Sequence, residues 1–281
     1  MAPLSTATIP TLSDFLVAPV EQVAAVAPAT LLLDLRDATL ATADGGAPDA
    51  EQHARILAGI EALFHLGVRD IVTCVARARV GTGQHSDQRF LTWAERGMLG
   101  LAALSAYERC GCRVRVVGVE DMPEPRTAAE RWPTPPPADG MRTLWWSVMP
   151  DTDVLWPMIA AAARRVPDTT QAGFIRALYG EDIPPATMLL GFGPPLAPEF
   201  ISLLLAGEMQ CYWSQRPVFA LDEPTLRRIF YDYAYVRPTR TAGDRSWRYT
   251  LLEQQRAAWE TDTVLGIGQL GEPQPHPSDS D

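Results

Sequence analysis

Asp34 closes the apolar run of TLLLDLRD, and Asp37 follows three residues later, ahead of the glycine pair Gly45–Gly46. A carboxylate carried to the end of a buried strand is a hard oxygen donor, suited to magnesium or to general acid/base work. Asp34 reads equally as the N-cap of a following helix, and Asp37 as a solvated surface acid. Arg77 and Arg79 follow IVTCVA two residues apart, so in extended chain they face one side. If that side is a cleft, their planar forks suit a phosphate group; otherwise they form an exposed pair. Arg36 offers the same chemistry. Trp145, Trp146 and Trp156 present aromatic faces that attract a cation, although such residues at a strand–helix junction also read as core. His53 reads as a solvent-facing residue of a helix.

Composition narrows the chemistry. All 24 basic residues are arginine, and neither lysine nor asparagine occurs. Lysine Schiff-base chemistry and a Gly-Lys-Ser/Thr phosphate loop are therefore excluded. The formal charge of −10 argues against a nucleic-acid partner read through phosphates. No apolar run approaches the roughly 18 residues of a membrane span, and the N-terminus lacks the pattern of a secretory signal, so a cytoplasmic protein is expected. Cys110 and Cys112 form a Cys-Gly-Cys motif, but no second pair or nearby histidine completes a zinc site. Reduced, packed cysteines are the simpler reading.

Elements that position these residues follow from the apolar patterning. Continuous apolar runs at ATLLLDL, RDIVTCVA, CRVRVVGVE, RTLWWSVM, ATMLLGF and MQCYWS read as strands covered on both faces. Between them, residues 49–67, 87–111, 153–166, 169–180, 197–208 and 223–236 carry helical spacing, and 247–260 reads as a closing helix. Strands alternating with helices predict an α/β domain whose mostly parallel central sheet is flanked by helices. Ligands bind such sheets at the carboxyl ends of the strands, where Asp34, Arg77 and Arg79 fall. The expected organisation is a Pro/Ala-rich surface segment at 1–28, the α/β domain at 29–262, and a polar tail at 263–281.

The order and spacing of these segments resemble the cis-prenyltransferases, the family of undecaprenyl diphosphate synthases. LLLDLRD stands where that family has a strand ending in Asp-Gly-Asn-Gly-Arg. LGVRDIVTCVARAR, CGCRVRVVGVEDMP, RALYGEDIPPATMLLGFG and QCYWSQRPVFALDEPTLRRIFYDY follow in the family's order, over about residues 30–237. The resemblance implies a cis-prenyltransferase-like sheet with a C-terminal helical extension, a prenyl diphosphate substrate and magnesium. It implies that Asp34 holds the metal or diphosphate, and that Glu208, two residues before Gln210, stands near the family's late metal-binding glutamate. It also implies a dimer formed around residues 198–250.

The departures fall on the chemistry. The diphosphate cradle reads Leu35-Arg36-Asp37-Ala38, and the segment that grips isopentenyl diphosphate reads GFGPPLAPEFIS, without arginine. A diphosphate buried without paired cations costs several kcal/mol. Chain elongation with isopentenyl diphosphate is therefore not expected. Two readings remain. One is an enzyme that ionises, rearranges or cyclises a prenyl diphosphate, with Asp34 and Asp37 holding magnesium, Arg36, Arg77 and Arg79 taking the pyrophosphate, and Trp145 and Trp146 shielding the cation. The other is a silent subunit paired with an active cis-prenyltransferase.

Overall fold

A computed structural model describes residues 9–35, 50–76, 97, 100–117, 141–149, 152–166, 170–192, 206–214 and 221–236. Its strands are β1 (Thr30–Asp34), β2 (Asp70–Ala76), β3 (Cys112–Val117), β4 (Arg142–Met149), β5 (Ala186–Phe192) and β6 (Ala206–Ser214). They form one sheet in the order β3-β4-β2-β1-β5-β6, with every pairing parallel. The helices are α1 (Leu12–Leu16), α2 (Val20–Ala24), α3 (Ala50–His65), α4 (Leu101–Cys110), α5 (Thr152–Arg165), α6 (Gln171–Tyr179) and α7 (Glu223–Tyr231), the last running into a π-helical turn at Asp232–Val236. None of the described helices is long and apolar enough to cross a membrane.

Alternation along the strands divides the core in two. Leu31 and Leu33 pack with α3, α4 and α7 on one face, through Ile60, Phe64, Tyr107 and Phe230. Leu32, Val72 and Leu189 pack with Ile175 and Tyr179 of α6 on the other. Parallel crossovers are right-handed. The chain steps from β1 to β2 in one direction under α3, then returns past β1 to β5 beneath α5 and α6. Reversing direction at fixed hand requires the opposite face, so the carboxyl end of β1 is the switch point of the sheet's connections.

Four expectations change. Residues 9–28 are not a surface coat, because Phe15 and Val23 are buried and Arg227 donates to the Phe15 and Ala18 carbonyls. The helix expected over 87–111 is broken at Gly100, whose extended backbone forms the N-cap of α4. Residues 206–208 join β6 rather than ending a helix. Phe230 is fully buried in this chain's own core and is not spare surface, while the half-buried Tyr231 and Tyr235 ring Phe15 at centroid distances of 5.6 and 5.8 Å.

Candidate active site

Asp34 is the last residue of β1, is 7% exposed, and shares the face of Leu32. Register extends it into a row across the sheet. Asp34 pairs with Cys74 on β2, Cys74 with Ser147 on β4, and on the other side Leu33 pairs with Leu190, which places Gly191 and its partner Trp213 at the level of Asp34. Cys74 and Ser147 are both buried. The Tyr179 hydroxyl comes down from α6 beside Ser147; burial raises its pKa, opposed by the serine hydroxyl. The carboxyl edge of the sheet thus carries an acid, a thiol, a hydroxyl and a phenol on one face, at the switch point where open parallel sheets bind ligands.

The other sequence-selected residues divide. Arg36, Asp37, Arg77 and Arg79 lie outside the described residues, although Arg77 directly follows the last residue of β2. Trp145 and Trp146 are 1% and 2% exposed and point to opposite faces, so one ligand cannot meet both. Trp146 donates to the Tyr107 hydroxyl at 3.0 Å. Trp145 stands edge-on to Tyr179, with the Arg113 and Arg115 guanidiniums 5.8 and 6.0 Å from its ring centre. Arg113 forks onto Glu181 at 2.9 and 2.6 Å, which fixes this cluster. Trp156 is exposed.

Glu208 is set apart from Asp34 by register. Gln210 lies level with Met188, and Met188 with Leu31, so the backbone of Glu208, in the shifted register before Gln210, falls short of Asp34's level and two strands away. His53, expected at the surface, is buried, and a Cβ at Gly97 would lie 2.5 Å from its Nε2. The sequence signal was present: His53 sits on the same helical stripe as Ile56, Leu57 and Ile60. Among the described residues no three His, Cys, Asp or Glu side chains cluster as a metal site. The four cysteines are free, and the Cys112 thiol lowers the pKa of Cys110 by hydrogen bonding.

No family model matches the chain. The (+)-kolavelool synthase of Herpetosiphon aurantiacus is 31% identical over 275 residues, covering 92% of this chain and 93% of that protein. Tuberculosinyl adenosine transferase of Mycobacterium tuberculosis is 34% identical over 103 residues, 35% of this chain and 34% of that one. Two solved structures share the fold at low identity. Lavandulyl diphosphate synthase from Lavandula x intermedia, in complex with dimethylallyl diphosphate, superposes with a TM-score of 0.56 at 13% identity, over 75% of this chain and 97% of its own. A probable undecaprenyl diphosphate synthase from Campylobacter jejuni gives 0.52 at 12%, over 73% and 94%. With a parallel sheet of this order, an acid at the end of β1, and a relative matched along nearly its whole length, the chain belongs to the cis-prenyltransferase-like family, among its prenyl-diphosphate-processing enzymes.

Proposed function

We propose that this enzyme is a magnesium-assisted terpene synthase that ionises a prenyl diphosphate beside Asp34 and completes its reaction without isopentenyl diphosphate. The observation that carries the reading is Asp34 itself, nearly buried at the carboxyl end of β1 where the sheet's connections diverge. The name of the synthase matched along the chain supports the same class of chemistry.

Asp34 fits magnesium, which is commonly held by one or two carboxylates together with substrate phosphates and water. Asp37, three residues on, is the second carboxylate of this reading. When bound, magnesium supplies positive charge that eases departure of the diphosphate. Arg36 and Arg77, which adjoin the ends of β1 and β2 in sequence, take the remaining charge with Arg79. Heterolysis breaks the bond between the allylic carbon and the bridging oxygen, and the electron pair leaves on diphosphate. The resulting cation rearranges, then either loses a proton or accepts a lone pair from water, which sheds a proton. The enzyme is read as a cytoplasmic homodimer, on the apolar side chains of Phe200, Leu203, Leu204 and Leu205 in a segment that resembles the family's dimer region.

Incubation with labelled isopentenyl diphosphate and geranyl, farnesyl or geranylgeranyl diphosphate tests the reading. Release of pyrophosphate without incorporation of label is expected. Elongation on the order of 1 s⁻¹ refutes it. So does a chain that is inactive alone and works only beside an active cis-prenyltransferase, the outcome for a silent subunit.

A further inference from the structure

We infer that the Trp213 indole walls the ionisation site and stabilises the carbocation formed there, a role that rests on the reading of Asp34 above. Asp34, Gly191 and Trp213 lie at one level on β1, β5 and β6. Trp213 packs in the same cluster as Leu32 and Leu189, on the face that Asp34 shares. Along that row of the sheet, Gly191 is the residue between them.

Gly191 is not required by its backbone. Among the described glycines, Gly67, Gly111 and Gly180 have positive φ, and Gly191 does not. The indole is what requires it: a Cβ at 191 would lie 2.6 Å from Trp213 Nε1 and 2.9 Å from Cδ1. The ring therefore leans across β5 towards β1, covering the nearer of two strand spacings of about 4.8 Å. On the other side of Asp34 the row continues through the small polar side chains of Cys74 and Ser147 to Val117 on the edge strand. Trp213 also keeps 8% of its surface exposed, against 1% and 2% for Trp145 and Trp146.

The chemistry matches the placement. Heterolysis beside Asp34 leaves positive charge on the allylic carbon, and tryptophan gives the strongest cation–π attraction of the aromatic side chains. A desolvated contact of this kind accelerates ionisation about 30-fold. Gly191 and Trp213 then act as a pair, the glycine letting the ring reach the cation.

Two arms test this on the full-length protein. In the first, magnesium pyrophosphate occupies the site, tryptophan emission reads its neighbour, and equilibrium dialysis reads binding separately. Quenching is expected in the wild type and in Trp145→Phe, and should be mostly lost in Trp213→Phe at unchanged binding. Quenching that survives Trp213→Phe, or that is missing from a wild type that binds the probe, overturns the inference. A wild type that fails to bind the probe overturns both readings, whereas binding undiminished in Asp34→Asn overturns the reading of Asp34. In the second arm, Trp213→Leu should lower turnover about 30-fold and raise the share of products quenched before rearrangement. Gly191→Ala, which displaces the same ring, should reproduce the product shift with an unchanged circular dichroism spectrum. Product ratios unchanged in both variants overturn the inference.

Discussion

Gly67→Ala is expected to destabilise the protein far more than Gly111→Ala, although both glycines end a helix with positive φ. Gly67 follows α3 at φ +102°, and a Cβ there would lie 2.5 Å from the Ala24 Cβ and 2.6 Å from its Cα. Ala24 closes α2, so the clash falls on backbone that cannot swing aside. Gly111 caps α4 at φ +58°, with nothing within 4 Å of a built Cβ. Left-handed backbone costs an L-residue about 1–2 kcal/mol, and overpacking a tight contact adds about 1–3 kcal/mol. The estimates are about 1.5 kcal/mol for Gly111→Ala and about 4 kcal/mol for Gly67→Ala. At roughly 2–4 °C per kcal/mol, Tm falls by about 5 °C and about 12 °C respectively. Parallel thermal melts followed by circular dichroism measure both. Equal shifts would refute the packing of α2 under the α3–β2 turn, and with it the integration of the N-terminal helices into the core.

Two further outcomes follow from the polar clusters, and a third from the dimer reading. Glu181→Ala leaves the Arg113 guanidinium, 5% exposed, with one partner fewer, and with Glu181 itself a quarter exposed the cost is about 2–3 kcal/mol; a urea midpoint equal to wild type contradicts the buried pair. Burial raises the pKa of Asp70, opposed by Trp145, Arg69 and Arg113, so its protonated form contributes stability that is lost as pH rises through the raised value. Asp70→Asn should therefore flatten the decline of stability with rising pH across the carboxylate range, and urea titrations at several pH values would show an unchanged decline if this sign is mistaken. Light scattering at micromolar concentration should give a homodimer, and a monodisperse monomer contradicts the dimer reading.

The strands were legible because both faces of a parallel sheet are covered, which leaves continuous apolar runs such as TLLLD and ATMLLGF. Their spatial order was not, since β4 inserts between β2 and β3 by long-range pairing among strands of similar apolarity. Prolines at 10 and 19 hid two short helices whose anchoring partner, Arg227, lies over 200 residues away. At the site, Asp34 stood out because it ends an apolar run. Trp213 did not, because its signal is a glycine on another strand. The tryptophan pair at 145–146 drew attention by composition, yet alternation sends the two rings to opposite cores.

Turnover of a prenyl diphosphate by Asp34→Asn, measured as pyrophosphate release beside a melt of the same sample, tests the role of Asp34 most directly. The exchange is near-isosteric and removes the hard ligand, so Tm should hold while kcat falls by about 100- to 1,000-fold, the equivalent of roughly 3–4 kcal/mol of transition-state charge stabilisation. A variant that turns over within a few-fold of wild type, with the same dependence on magnesium, contradicts ionisation at Asp34.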